Sequence, residues 1–234
     1  MAYIYEYIRT KGYKPIHFEE HYTRLEELAN TLFSNATNLN KEQLYSRIAE
    51  VLRNNGFSPN TINAVSVKCY DNGDIEVESI EYLYNNFSLR ALRPQGFIVQ
   101  VSGELIVQNT SAKMALLELN HATAQRLDIG IPVWVNEAGE VIAIDGAPVV
   151  AVLDNEIRFS RMGEGVEFDL AYDAVKRINH KATKGAIMVE ELSMTKELLT
   201  IDYRGITAIA GYGEHLYMDI TAERIAKQIA SIEE

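Results

Sequence analysis

Lys113 is the residue of this sequence whose setting best suits covalent chemistry. It is the only lysine between Lys68 and Lys176, and its immediate neighbours are alanine and methionine. A lysine in apolar surroundings loses stability in its ammonium form, so its amine becomes available as a nucleophile toward aldehydes. Lys113 is therefore a candidate for Schiff-base formation. The local sequence leaves one alternative open, an ordinary lysine at a helix N-terminus with its charge in water.

The sequence lacks the patterns of several other catalytic sites. Its five histidines are dispersed and none belongs to an HExxH pattern, so no metal site is predicted. Neither the glycine-rich loops that bind nucleotides nor the GxSxG nucleophile motif is present. Cys69 is the only cysteine, which excludes an internal disulfide and suits a reducing cytoplasm.

Composition and charge narrow the class of partner. The chain has 234 residues and a formal net charge of −11, so phosphates of nucleic acids or anionic membranes would repel it. No apolar run approaches the roughly 20 residues that a membrane span needs, and the first residues lack the layout of a signal peptide. We therefore expect a cytoplasmic protein with neither a nucleic-acid nor a membrane partner.

Residues 1–88 are predicted to form a β-α-α-β-β arrangement. The segment 2–10, rich in tyrosine and isoleucine, predicts a strand. Apolar residues at three- and four-residue steps predict a helix over 19–33, and Asn40 is suited to cap a second helix. Two further strands are joined by the turn at 71–73, because its Asn-Gly pair favours positive φ at both positions.

The rest of the chain is predicted as a linker at 89–95 and a larger domain at 96–234. The order of its elements favours an α+β fold over a doubly wound parallel sheet. Strands are predicted at 97–107, 131–136, 140–145, 148–153, 157–160 and 201–209. Helices are predicted at 113–127, at 169–178, after a capping Ser193, and at 221–232.

The first strand carries an aromatic face. Tyr3, Tyr5 and Tyr7 share that face because strand side chains alternate. Packing of these rings against the helix at 19–33 is the favoured interpretation. The alternative is that the rings line a ligand pocket.

Four segments, taken in order, resemble the class IV aminotransferases, which include branched-chain and D-amino-acid aminotransferases and aminodeoxychorismate lyase. The sequence YEYIR at 5–9 resembles the family's F-E-T-I-R strand, and HYTRL at 21–25 resembles its H-x-x-R-L helix. Residues 130–159 resemble its run of adjacent strands, and DYRGITA at 202–208 its late strand with a G-T-A loop. Lys113 precedes the glycine turn of that run by nearly the separation that the family keeps for its Schiff-base lysine.

The resemblance implies a fold, a cofactor and an assembly. The fold would be a small N-terminal α/β sandwich with a larger C-terminal α/β barrel-like domain, in a homodimer. The cofactor would be pyridoxal 5′-phosphate, attached covalently to Lys113. The residues implied to bind it further are Arg24, Asp145, Gly165, Val166 and Thr207. The substrate would be a small-molecule amino compound, an amino acid or amino-carboxylate, and the residues implied to contact it are Arg9 and Tyr5.

Two of the family's motifs are altered here. The family places a glutamate after the glycine turn, where it keeps the pyridine nitrogen protonated. Direct spacing puts Ala143 there; a two-residue deletion puts Asp145 there, although an aspartate before glycine equally suits a turn. The family's G-I-T-R phosphate turn reads Gly165-Val166-Glu167-Phe168, and its glutamate would repel a phosphate unless it points away.

Two functions therefore stay open. The first is a pyridoxal-phosphate-dependent aminotransferase, or a lyase resembling aminodeoxychorismate lyase. The second is a non-catalytic homologue that serves as a ligand-binding or assembly module. The altered motifs weaken the case for transamination more than the case for the fold. For Arg9, a solvated arginine at a strand end is the alternative to a substrate contact.

Overall fold

The computed structural model describes residues 1–33, 39–83, 86–102, 108–178 and 180–233. The chain divides into two units: unit 1 contains Met1–Asn86 and Gln108–Ser111, and unit 2 contains Phe87–Val107 and Ala112–Glu234. The predicted domain boundaries, with a linker at 89–95, stay a prediction. Within unit 2, the backbone at 88–90 pairs with Ile206 and so extends a sheet.

Unit 1 has the predicted β-α-α-β-β order, with one short strand added after the first. Its elements are β1 (Tyr3–Lys11), β2 (Lys14–Pro15), α1 (Phe18–Leu32), α2 (Lys41–Asn54), β3 (Ile62–Tyr70) and β4 (Ile75–Leu83). The strands form one antiparallel sheet in the order β2-β1-β3-β4. The Asn40 side chain accepts a hydrogen bond of 2.9 Å from the backbone N–H of Gln43, which confirms the predicted cap of α2.

The hairpin between β3 and β4 is confirmed, but its turn differs from the prediction. Gly73 has a φ of +90°, whereas Asn72 is not in the left-handed region. Cys69 pairs with Ile75, so the connection is longer than a two-residue turn. The glycine alone supplies the positive φ that the bend requires.

The predicted packing of the tyrosine face against α1 is wrong. The residues of β1 that enter the core beneath the helices are Ile4 and Ile8, which cluster with Leu25 of α1 and Ile48 of α2. Tyr3, Tyr5 and Tyr7 alternate with these residues and therefore point to the opposite face of the sheet. Their rings contact one another there, with centroids 5.1 Å apart for Tyr5 and Tyr7.

Unit 2 is built from two five-stranded sheets and three α-helices in its described residues. Its elements are β5 (Gln95–Gln100), α3 (Ser111–Leu127, whose first residue is assigned to unit 1), β6 (Ile131–Val135), β7 (Val141–Ile144), β8 (Val149–Val152), β9 (Ile157–Ser160), α4 (Val166–Arg177), β10 (Ala182–Gly185), a 3₁₀ helix (Val189–Met194), β11 (Glu197–Asp202), β12 (Gly205–Ala208), β13 (Gly211–Tyr212), β14 (His215–Leu216) and α5 (Ile220–Glu233). The sheet orders are β10-β9-β8-β11-β12 and β14-β13-β5-β6-β7.

Strand β8 shows how the core of unit 2 is layered. Val150 and Val152 belong to a cluster with residues of α4 and α5, whereas Val149 and Ala151 belong to a cluster with β6 and β7. Because successive side chains of a strand point to opposite faces, α4 and α5 cover one face of this sheet and the second sheet covers the other. The mixed order of helices and strands confirms the predicted α+β class.

Several element predictions in unit 2 are corrected. No α-helix follows Ser193; the residue lies in the 3₁₀ helix, and strand β11 begins at Glu197. The strand predicted at 201–209 is the hairpin β11–β12, which turns at Tyr203-Arg204. Helix α4 begins three residues earlier than expected, and β10 was not predicted. Of the strand predicted at 97–107, residues 103–107 lie outside the described residues. No helix in the described ranges has the length and apolar character that a membrane crossing requires.

Candidate functional site

Lys113 lies in the first turn of α3 and is buried, with only 6% of its surface exposed. Lysine is among the residue types least often buried, so this placement is informative. The recess beside Lys113 is lined by Ile142, Ala143, Gly146, Pro148, Met162, Gly163 and Glu164. About 10 Å³ of this recess is open to the centre of a water molecule, which is room for a single water. The surroundings are mostly apolar, and the alternative of a solvated Lys113 is wrong.

The turn between β7 and β8 brings backbone close to this lysine. Asp145 and Gly146 have φ values of +54° and +73°, and Ile144 pairs with Ala147 across them. Both central residues are left-handed, as a two-residue type I′ hairpin requires. A Cβ added at Gly146 would lie 3.8 Å from Cε of Lys113, which is an ordinary van der Waals contact. The turn therefore lies directly against the lysine side chain.

The Asp145 carboxylate is shared between two basic side chains. Its Oδ1 lies 2.5 Å from Nε2 of His121, and its Oδ2 lies 3.6 Å from Nη2 of Arg204. Arg204 also binds the carboxylate of Asp202 at 2.6 Å. Burial acts to lower the pKa of Arg204, but the carboxylates of Asp202 and Asp145 outweigh it and raise that pKa. Asp145 therefore lies in a turn, as one interpretation of its sequence predicts. Its carboxylate also has two basic partners.

Ala143 lies on β7 and lines the recess from the side of the sheet. It is buried in a cluster with Val101, Trp134 and Ile142. At the position to which direct spacing assigns the family's glutamate, the recess therefore presents a methyl group among apolar side chains. No carboxylate is supplied from this position.

The N-terminus of α4, where Gly165 and Val166 lie, is acidic. Glu167 is buried in its first turn, and Asp169 binds Lys184 at 3.1 Å. Carboxylates near a helix N-terminus complement the helix dipole. Of these two carboxylates, Asp169 is partly neutralised by Lys184.

Thr207 is buried on β12, next to the segment at 88–90 that extends its sheet. Its hydroxyl oxygen accepts a hydrogen bond of 3.1 Å from Nη1 of Arg90. Arg90 is held by its backbone N–H, which donates to the carbonyl of Ile206 at 2.8 Å. Sequence reasoning placed Arg90 in a linker and missed this contact.

In unit 1, Arg24 faces a carboxylate of the protein itself. Its Nε lies 3.7 Å from Oε1 of Glu6, and Nδ1 of His21 lies 2.9 Å from the same oxygen. The Asn109 amide donates to Oε2 of Glu6 at 3.3 Å. Burial acts to raise the pKa of Glu6, but His21, Arg24 and Asn109 together outweigh it and hold that pKa below its ordinary value.

Arg9 and Tyr5 are both buried on the face of β1 opposite α1. The interpretation of Arg9 as a solvated arginine is therefore wrong, and a role for either residue in substrate binding stays a prediction. Of the predicted site residues, Arg9, Tyr5 and Arg24 belong to unit 1. Those that belong to unit 2 are Lys113, Asp145, Gly165, Val166 and Thr207.

Sequence reasoning missed several residues of the site. His121, Arg204 and Glu164 were not singled out, because each is joined to Asp145 or Lys113 only by the fold. One local signal was available. An Asp-Gly pair between two short apolar runs predicts a type I′ hairpin, which fixes where Asp145 points.

The arrangement of these elements is that of a known enzyme fold. The structure is similar to a Thermotoga maritima protein provisionally assigned as a branched-chain amino acid aminotransferase, with a TM-score of 0.81 at 14% identity over 98% of this chain and 86% of that chain. It is similar to the T.th. branched-chain amino acid aminotransferase in complex with N-(5'-phosphopyridoxyl)-L-glutamate, with a TM-score of 0.79 at 15% identity over 100% and 86% of the two chains. A Legionella pneumophila protein provisionally assigned as 4-amino-4-deoxychorismate lyase gives a TM-score of 0.75 at 10% identity over 92% and 85%.

The chain therefore has the class IV aminotransferase fold, as the sequence resemblance predicts. No protein-family sequence model matches it, and no curated protein matches it by sequence. The fold is retained while the sequence has diverged.

Among the described residues of unit 2, one of the three requirements of pyridoxal phosphate is met. Lys113 offers a buried amine for the aldehyde. The pyridine nitrogen needs an acid that keeps it protonated, but Ala143 is apolar and Asp145 is shared by His121 and Arg204. The phosphate needs donors or cations, but the start of α4 is acidic. The donor set therefore fits an aldehyde and does not fit this cofactor as a whole.

Proposed function

We propose that this chain is a carbonyl-binding protein on the class IV aminotransferase fold, in which Lys113 holds an aldehyde or ketone ligand as a Schiff base. The observation that carries the proposal is the buried position of Lys113 in a mostly apolar recess. The free space matches the carbonyl group itself, so the body of the ligand extends beyond the recess. This corresponds to the ligand-binding alternative that the sequence left open.

Schiff-base formation needs only an amine and a proton donor. The unprotonated amine of Lys113 gives its electron pair to the carbonyl carbon, and a C–N bond forms. The carbonyl oxygen takes up protons and leaves as water, while a C=N bond replaces the C=O bond. No oxidant or reductant takes part, and water reverses the reaction. Among the described residues that line the recess, Glu164 is the ionisable side chain besides Lys113, and we assign it the proton transfers to the leaving oxygen.

A second candidate is the pyridoxal-phosphate-dependent enzyme, an aminotransferase or a lyase acting on an amino acid or amino-carboxylate. It is favoured by the fold shared with the T.th. aminotransferase, whose complex contains a phosphopyridoxyl group. When bound, the cofactor would supply an aldehyde and an electron-withdrawing ring. In this chain Lys113 would hold the aldehyde, and Thr207 and the start of α4, which belong to the same unit, would have to hold the phosphate; a role for Arg24 stays a prediction.

The two candidates are separated by one labelling experiment. The protein is incubated with pyridoxal phosphate or with a small neutral aldehyde, reduced with borohydride, and analysed by peptide mass spectrometry. We expect the neutral aldehyde to label Lys113, no label at that position in Lys113→Arg, and unchanged labelling of Lys113 in the control Lys176→Arg. After unbound pyridoxal phosphate has been removed by desalting, we expect the protein to show no absorbance band between about 330 and 430 nm.

The opposite result is equally clear. Stoichiometric absorbance with pyridoxal phosphate, a reduced adduct on Lys113 and amino-group transfer to a 2-oxo acid would establish the enzyme and overturn our proposal. Absence of any adduct at Lys113 would exclude both candidates.

We also propose a cytoplasmic homodimer. In unit 2, Met194, Leu216 and Met218 are exposed apolar side chains on segments joined by hydrogen bonds, such as that from Met218 N–H to the Lys196 carbonyl. Such a patch suits an interface between subunits. Light scattering should give twice the chain mass of 26.4 kDa, and Leu216→Asp should shift the protein to the monomer. Cell fractionation tests the compartment.

A further inference from the structure

The recess next to the side chain of Lys113 is narrow, and two of its walls are formed by β7 and by the turn that follows it. At the turn, a Cβ added to Gly146 would lie 3.2 Å from Leu117 and 3.8 Å from Cε of Lys113, so one added carbon atom already crowds this side. On β7, Ile142 is buried and lines the recess. The free space has room for a single water, and the carbonyl group of a ligand fills it. A further group beside Cε of Lys113 therefore has to displace packed atoms.

The third wall is the loop between β9 and α4, where Met162 lines the recess. Arg161 holds this loop in place. Its backbone N–H donates to the carbonyl of Gly185 at 2.9 Å, and its guanidinium donates to both carboxylate oxygens of Glu140, at 3.0 and 2.8 Å. Glu140 is buried, and a bidentate arginine–carboxylate pair has a fixed geometry. Met162 therefore lies on a wall that does not retreat easily.

The geometry of a Schiff base makes this narrowness selective. The C=N bond is planar, so one substituent of the former carbonyl carbon lies on the same side as Cε of the lysine and the other lies on the opposite side. An aldehyde carries a hydrogen, which can take the position beside Cε. A ketone carries two carbon substituents, so one of them has to lie beside Cε.

From these observations we infer that Lys113 binds aldehydes and excludes ketones, and that Met162 is a specificity-determining residue for this selection. The inference rests on the proposed function and narrows its ligand class, because it presupposes that Lys113 forms a Schiff base. One carbon more or less in an apolar pocket changes selectivity by about 10- to 200-fold. The crowding beside Lys113 is a contact of this kind.

The test compares propanal with acetone, two neutral isomers that differ in whether the carbonyl carbon carries a hydrogen. Each is incubated with the whole chain at neutral pH and trapped with cyanoborohydride, which reduces the imine faster than the carbonyl compound. The two adducts have the same mass, so peptide mass spectrometry detects them on an equal basis. Labelling of Lys113 is divided by labelling of the exposed Lys227 in the same sample, which corrects for the intrinsic reactivity of each compound.

We expect the corrected labelling of Lys113 by propanal to exceed that by acetone by about tenfold or more. Met162→Ala should reduce this preference by about threefold or more, because it removes most of a side chain from the wall. Met162 is half-buried, so we expect the variant to fold. Leu119→Ala, at an exposed position of α3, is the control and should leave the preference unchanged.

The outcomes separate the two proposals. Equal corrected labelling by the two compounds would overturn the selection and leave carbonyl binding by Lys113 intact. A preference that survives Met162→Ala unchanged would remove Met162 as its cause and overturn the inference as stated. Labelling of Lys113 by propanal that is no stronger than that of Lys227 would overturn the proposed function itself.

Discussion

Each unit contains a carboxylate placed between an imidazole and a guanidinium, but the two trios differ in burial. In unit 1, Glu6 lies between His21 and Arg24, and His21 is 1% exposed. In unit 2, Asp145 lies between His121 and Arg204, but the His121 side chain is 48% exposed. Water screens the imidazole of the second trio more than that of the first, whereas the two guanidinium groups are similarly exposed, at 27% for Arg24 and 23% for Arg204. We therefore expect the buried His21–Glu6 contact to stabilise unit 1 more than the His121–Asp145 contact stabilises unit 2.

The comparison also bears on function. Arg24 and Arg204 are cations that a phosphate-binding site could use, and each faces a carboxylate of its own unit. Each of these two arginines therefore already has an anionic partner within the protein. For this reason the class IV fold of this chain does not by itself imply binding of a phosphorylated cofactor.

The largest effect is expected from removal of the buried carboxylate in unit 1. Glu6→Ala removes the buried carboxylate that His21 and Arg24 share, and breaking a buried pair in this way costs about 3–5 kcal/mol of unfolding free energy. Chemical denaturation measures the loss. Glu27→Ala, at an exposed position of α1, is the control and should be nearly neutral. An equally small effect of both substitutions would contradict the contrast in burial.

A smaller loss is expected from crowding the recess. A Cβ at Gly163 would lie 2.6 Å from Cζ of Phe168, a fully buried ring that packs edge-on against Phe159. Gly163→Ala should therefore lower the unfolding free energy by about 1–3 kcal/mol. Gly185→Ala is the control, because its Cβ would meet Arg158 no closer than 3.4 Å. Equal melting temperatures for the two variants would show that the Phe168 ring moves away from the added Cβ at little cost in free energy.

The pH dependence of stability provides a third contrast. Glu6 has a pKa below its ordinary value of 4.5, so its contribution is fully present above pH 4.5 and is lost as the pH falls through the lowered pKa. The difference in unfolding free energy between the wild type and Glu6→Gln should therefore shrink as the pH falls below about 4.5. Denaturation curves at a series of pH values measure it. A difference that grows toward acid would have the wrong sign for this account.

The smallest effect is expected at Asp145. Asn tolerates a left-handed backbone, so Asp145→Asn removes only the ion pairs and should cost about 1 kcal/mol or less. Asp145→Val should cost more, because a branched side chain at a φ of +54° is strained. Thermal melting ranks the two variants. The reverse order would mean that the charges, rather than the turn, determine the role of Asp145.

The sequence predicts the elements well where the signal is local. The helical period of 113–127, the cap at Asn40 and the hairpin at Gly73 all lie within a few residues, and all three are confirmed. Strand β11 was missed at its start because it is central in its sheet and buried on both faces, so it shows no alternation. Ser193 showed a capping signal that the 3₁₀ helix and β11 override.

The site was less predictable than the fold. Lys113 stood out because of its apolar neighbours, and its burial agrees with that signal. The partners of Asp145 and Arg24 could not be predicted, because His121, Arg204 and Glu6 approach them only through tertiary packing. A motif gives the type of a residue, whereas the charge of a site depends on every element that packs against it.

The central claim is tested most directly by competition between lysines for a limiting amount of 5-deoxypyridoxal. At neutral pH, borohydride trapping and peptide mass spectrometry compare the buried amine of Lys113 with the exposed amine of Lys227. We predict that Lys113 is labelled faster, by about tenfold or more, because the recess holds the carbonyl group against the amine. Faster labelling of Lys227 would contradict the account, because Lys113 would then be a structural lysine.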